Sequence, residues 1–123
     1  MRALLFLLAA GCSQCWHETQ LYFGLDRPGG TVSAADWQKF VDDDASKLLP
    51  DGFTVVDGQG QWRDGSVITH EASRVILVVH PATRQYDAAI EELRRVYTKR
   101  FDQKSVLRAD LPSRVWLYPK NHR

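Results

Sequence analysis

Cysteine is scarce in these 123 residues, with only Cys12 and Cys15 present. No disulfide framework can therefore stand in for a packed core. The pair is spaced Cys-x-x-Cys, but no second such pair and no His-x-His follows, so a tetrahedral zinc site lacks ligands. A redox pair of this spacing belongs at a strand-to-helix turn, whereas this one precedes the first strand. Gly-x-Ser-x-Gly and Ser-x-x-Lys are absent, which removes the common serine-nucleophile arrangements. His17, His70, His80 and His122 form no His-Glu-x-x-His. Gly58-Gln59-Gly60 lacks the third glycine and the following helix of a dinucleotide loop. No metal or other cofactor is expected. No run of ~20 apolar residues occurs, so no segment reads as a membrane-spanning helix. No run of five like charges occurs either.

The formal net charge is +1. Residues 84–123 carry ten Lys/Arg against five Asp/Glu, and residues 1–83 carry six against ten. A solvated basic helix and strand beside an acidic helix account for that asymmetry, and no nucleic-acid partner is expected. Asp42-Asp43-Asp44 cannot converge on one metal, because successive helix residues point about 100° apart. With 44% hydrophobic and 25% charged residues, the chain has the composition of one globular domain.

What is present begins at the N-terminus. Leu4-Leu5-Phe6-Leu7-Leu8 runs into Ala9-Ala10-Gly11-Cys12. A short apolar core, small residues and a cysteine resemble a bacterial lipoprotein signal. An ordinary secretory signal, or a plain buried segment, are the competing interpretations. The resemblance implies a leader over 1–11, cleavage between Gly11 and Cys12, lipid on Cys12 and a tether over 12–17. Each buried lipid methylene contributes ~0.8 kcal/mol, so two or three chains anchor stably. The expected address is extracytoplasmic and membrane-anchored. Ser13 after the cysteine favours the periplasmic side of the outer membrane in a Gram-negative source. Cys15 would then be a free or intermolecular thiol.

Residues 18–119 read as one domain, and 120–123 as a polar tail. Thr19 to Leu25 alternates as a strand, with Leu21, Phe23 and Leu25 on one face. Ser33 caps a helix whose stripe is Trp37, Phe40, Val41, Ala45, Leu48 and Leu49. Phe53 to Val56 opens a strand, Gly58-Gln59-Gly60 predicts a bulge, and Asp64-Gly65 predicts a tight hairpin. Val75 to Val79 is apolar on both faces and reads as a central strand. Thr83 caps a second helix, with Tyr86, Ile90, Leu93, Tyr97 and Phe101 as its stripe and Glu91–Arg95 as an ion pair. Residues 105–109 and Val115-Trp116-Leu117-Tyr118 complete the strands. The order β-α-β-β-α-β plus an extra terminal strand predicts an α+β, ferredoxin-like split β-α-β fold. It has an antiparallel sheet with two helices on one face.

Glu18-Thr19-Gln20-Leu21-Tyr22-Phe23-Gly24, Pro50-Asp51-Gly52-Phe53-Thr54-Val55, Gly58-Gln59-Gly60-Gln61-Trp62-Arg63 and Ser105-Val106-Leu107-Arg108 occur in matching order over residues 17 to 118. Together they resemble a family of small, uncharacterised bacterial domains often found as lipoproteins. The resemblance implies a domain of unknown function and supplies no catalytic residues.

Tyr22, Trp62, Arg63 and His80 are the candidate binding surface, since aromatic–cation groupings and strand-end loops carry sites. The expected function is a lipid-anchored, non-catalytic binding or accessory domain of the cell envelope. The alternative is a small-molecule enzyme using the open face of a dimeric ferredoxin-like sheet. Trp37, Phe40, Leu77, Leu93 and Tyr97 are expected in the core. The second sheet face should be apolar enough to require cover, and a homodimer through it is expected. The identity of any protein or small-molecule ligand is not legible.

Overall fold

The computed structural model describes residues 15–117. The expected leader, with the cleavage and lipidation residues Gly11 and Cys12, and the polar tail lie outside the described residues. Strand β1 (Trp16–Gly24) leads into a small hairpin of β2 (Asp26–Arg27) and β3 (Gly30–Thr31). Helix α1 (34–48), strands β4 (Thr54–Asp64) and β5 (Val67–Pro81), helix α2 (Arg84–Arg100) and strand β6 (Leu107–Ser113) follow. Four strands form one sheet in the order β4-β5-β1-β6. Every neighbouring pair is antiparallel. The domain is thus α+β, with a four-stranded antiparallel sheet and two helices. The most apolar strands, β1 and β5, are central, and the edges carry charge at Asp57, Arg63 and Arg108, which discourages edge-to-edge pairing.

Alternation along β1 decides which face the helices cover. Thr19, Leu21 and Phe23 are fully buried. The register sets Leu21 beside Ile76 and Thr19 beside Val78. Against them pack Trp37 and Phe40 from α1 and Ile90, Leu93 and Tyr97 from α2. The Phe23 ring lies 4.8 Å from Tyr97, 5.4 Å from Trp37 and 5.5 Å from Phe40, each in an edge-on arrangement. Tyr97 hydroxyl donates to the Gly24 carbonyl at 2.6 Å, so its polar end is satisfied inside the core. Burial pushes that hydroxyl well above the usual tyrosine range. Leu93→Ala is expected to cost ~2–5 kcal/mol in urea denaturation, since Leu93 is fully buried and its cavity cannot collapse freely.

Both helix starts follow the sequence. Ser33 hydroxyl accepts from Asp36 N–H, and Thr83 hydroxyl from Tyr86 N–H. Within α1, a π turn at Val41–Ala45 inserts one residue, and Ser46 N–H reaches back five residues to the Val41 carbonyl. The insertion returns Ala45 and Leu49 to the core while Asp42 and Asp43 stay in water.

Several expectations are corrected. The expected bulge at Gly58-Gln59-Gly60 is absent, because the β4–β5 register runs unbroken from Thr54↔Leu77 to Asp64↔Val67. Gly58 instead lies close to Ser73: a Cβ there would be 2.7 Å from Ser73 Oγ, which would have to rotate away. The hairpin loop is Gly65-Ser66, one residue later than expected. Gly65 adopts φ 64°, the conformation a two-residue loop wants from glycine at its first position. No extra strand forms over 114–117. Instead β6 runs through Pro112, which an edge strand tolerates. It stops at Ser113, where its partner β1 ends at Trp16. Leu77 faces away from the helices, because the Leu21↔Ile76 register turns Ile76 and Val78 inward. Glu91 and Glu92 pair with Arg94 and Arg95 at i,i+3, not Glu91 with Arg95.

Candidate functional site

The helices leave the other face of the sheet uncovered, and the strand registers show what it displays. One row crosses the sheet as Val56–Val75–Tyr22–Leu107. The next reads Thr54–Leu77–Gln20–Ala109, and the third Val79–Glu18–Leu111. Trp16 ends the series, between Pro81 and Ser113. Val56, Val79, Leu107 and Leu111 are exposed, at 40%, 48%, 55% and 44%.

A polar file therefore runs down the middle of an apolar surface. Tyr22 hydroxyl donates to Gln20 Oε1 at 2.8 Å, and Gln20 Nε2 donates to Glu18 Oε2 at 3.0 Å. Strand alternation places all three on one face, two residues apart. Each donor points toward Glu18, so the file ends in a carboxylate with lone pairs to spare. Valine and leucine flank that carboxylate on both sides, and no ion pair joins it to a described cation. Such a group is poised to accept from, or pair with, something brought to it.

The four residues singled out from sequence do not come together. Tyr22 lies in the file. Trp62 is on the same face but six residues along β4 from the Tyr22 row, roughly 20 Å away. There its indole donates to Glu71 Oε1 at 3.1 Å, and Glu71 Oε2 accepts from Asp26 N–H at 3.0 Å. Arg63 points to the opposite side of β4 from Trp62. His80 is on the helix side, 2% exposed. Its Nε2 lies 2.7 Å from Thr19 hydroxyl, its Nδ1 2.8 Å from the Pro81 carbonyl oxygen, and its ring stacks on Tyr86 at 5.0 Å. Tyr86 donates to Asp51, and that bond with partial burial pushes its hydroxyl up to about 12. Glu18 and Gln20 were missed as site residues, although their even spacing with Tyr22 was visible in the sequence.

A second depression is lined by Arg27, Asp36, Lys39, Asp43, Arg100 and Phe101. Two of its cations are already paired: Lys39 with Asp43 at 3.0 Å and Arg100 with Asp44 at 2.6 Å. Arg27 lies over the Phe101 ring at 5.4 Å. The Arg108 cluster is structural too. Burial works to lower its pKa, yet the hydrogen bonds it donates to Asp110, Glu91 and Asp87 hold it above the usual arginine value. The pairs with Asp87 and Glu91 tie β6 to α2.

The chain matches, over residues 18–116, the family described as "Protein of unknown function (DUF3574)". A search of curated proteins returns no significant match. Two solved structures share the fold. One is a phage SAM lyase in complex with S-methyl-5'-thioadenosine, at TM-score 0.62 and 13% identity, covering 81% of this chain and 82% of that one. The other is a phage SAM lyase in the apo state, at TM-score 0.61 and 17% identity, covering 80% and 82%. The expectation of a non-catalytic binding or accessory domain is corrected by these structures: they are of an enzyme with a small-molecule ligand. The apolar flanks that read as a docking patch in sequence also enclose a hydrogen-bonded polar file.

Proposed function

The chain belongs to the DUF3574 family, and we propose that it is a small-molecule enzyme whose substrate lies on the open face of a ferredoxin-like sheet. The element order and the strand order β4-β5-β1-β6 support that name for the fold. The observation that carries the function is the Glu18–Gln20–Tyr22 file. A few convergent polar groups within an apolar surface are how small-molecule sites are built. The flanking valines and leucines favour a ligand with a flat, weakly polar body. The carboxylate favours a hydrogen-bond donor or a cationic group on it. Glu18 is the proton acceptor or cation holder, Gln20 fixes its rotamer, and Tyr22 fixes Gln20. S-methyl-5'-thioadenosine, the ligand of the phage lyase complex, is a molecule of this kind. Titration of the full-length protein with that nucleoside by calorimetry is expected to give saturable binding at submillimolar concentration. Glu18→Gln is expected to weaken it at least tenfold, or ~1.4 kcal/mol. No binding at millimolar nucleoside, or equal affinity in Glu18→Gln, overturns the proposal.

We also propose that lipid on Cys12 holds this enzyme at the membrane. β1 already begins at Trp16, so the tether shrinks to residues 13–15, at most ~10 Å of chain. Cys12→Ala is expected to move the protein from the membrane to the soluble fraction. Soluble wild-type protein with a free Cys12 thiol overturns the anchor.

A further inference from the structure

We propose that the open face is covered by a second copy of this chain, across a twofold axis that sets Glu18 of each copy opposite Tyr22 of the other. Each site is then composite. The inference rests on the open face being the site.

The first argument is area. The face spans four strands and about nine residues along β1. At ~4.8 Å between strands and ~3.3 Å per residue, its footprint is roughly 500 Å². Monomers rarely leave an apolar patch larger than a few hundred Å² in water. A nucleoside-sized ligand covers only part of it. Side-chain relief makes accessible area larger than footprint, which brings the face toward the ~600–800 Å² per partner of a stable dimer. A second copy supplies a cover of the same size and apolarity, and a net charge of +1 opposes association little.

The second argument selects the axis. A twofold axis in the plane between two facing sheets can run along the strands or across them. Along the strands, Glu18 meets Glu18, and two carboxylates face each other among Val79 and Leu111, which is unfavourable. Across the strands and through Gln20, Glu18 meets the second copy's Tyr22, so each carboxylate faces a neutral phenol instead of a like charge. Facing sheets lie ~10 Å apart, within reach of two such side chains.

Cross-linking of the full-length chain tests this, with Cys12 and Cys15 replaced by serine throughout. A mixture of Glu18→Cys and Tyr22→Cys chains is expected to form a covalent dimer with a short bismaleimide, at least tenfold more than either variant alone, since sheets ~10 Å apart are too distant for a disulfide but within the linker's reach. Leu111→Lys added to both chains is expected to fold as before, because Leu111 is exposed, and to lower the yield at least tenfold. Preferential Glu18→Cys self-linking overturns the axis. A monomer by native mass spectrometry with no cross-link overturns the second copy. If that monomer still binds the nucleoside through Glu18, the proposed function stands and only the composite site falls. If the 18–22 cross-link forms but no nucleoside binds, the composite face stands and the proposed ligand falls.

Discussion

Phe23→Ala is expected to remove ~3–5 kcal/mol of folding free energy, the range for deleting a buried aromatic ring from a core. Phe23 is fully buried on the central strand. Its ring touches the rings of both helices at once, Trp37 and Phe40 from α1 and Tyr97 from α2. Deleting it therefore opens a void where three elements meet. The surrounding groups are held elsewhere: Tyr97 is tied to the Gly24 carbonyl, and Trp37 packs against Phe40 at 5.5 Å. They cannot easily collapse inward. A domain of this size has ~5–15 kcal/mol of stability in all. The variant should melt roughly 15–30 °C below wild type, at ~4–8 °C per kcal/mol. Urea denaturation with unchanged slope gives the free energy. A loss under about 1 kcal/mol would mean that the two helices do not share the Phe23 ring.

Much of this core was legible from spacing alone. Period-two alternation marks Leu21 and Phe23, and 3.6-residue stripes mark Trp37, Phe40, Leu93 and Tyr97. Caps at Ser33 and Thr83 were legible because one hydroxyl and one nearby N–H suffice to make them. What sequence could not decide was the phase of β5. Val75 to Val79 is apolar at every position, so alternation carries no information there, and only the pairing of Leu21 with Ile76 sends Leu77 outward. The π turn was equally hidden, since Trp37, Phe40, Ala45 and Leu49 fit a helical stripe with or without one inserted residue. Pro112 misled for a different reason. It looks like a break, but on the outer strand its missing N–H costs the sheet little.

The site was only half visible. Tyr22 stood out as an aromatic on the face opposite Leu21. Glu18 and Gln20 share that face, but single polar residues on a strand usually mean solvent, and nothing local shows that Val79 and Leu111 flank Glu18. Those neighbours come from strands 61 and 93 residues away in sequence. His80 attracted attention as a histidine at a strand end, and the fold turns it toward the helices instead.

The histidine's surroundings carry the second large effect: Thr19→Val is expected to cost ~1–3 kcal/mol at pH 7. The substitution keeps the side chain's size on a residue with no exposure. It removes a hydroxyl that donates to Asp110 Oδ1 at 2.6 Å and lies 2.7 Å from His80 Nε2. His80, 2% exposed, loses a neighbour where water does not reach, which costs ~1–3 kcal/mol, whereas the exposed Asp110 keeps its bond from Arg108 and loses less. The loss should also depend on pH. Burial works to raise the Asp110 carboxyl, but hydrogen bonds from Thr19 and Arg108, with the charge of Arg108, hold it below the usual aspartate range. A depressed carboxylate contributes stability above its unfolded pKa and loses it as pH falls through its folded one. Thr19→Val moves the folded value back toward the ordinary one, so the wild type's advantage through Asp110 is full at pH 7 and shrinks in acid. Urea denaturation of both proteins at pH 7 and pH 3 should show the gap narrowing at the lower pH. Equal stability at pH 7 would show that the Asp110–Thr19–His80 chain holds nothing together.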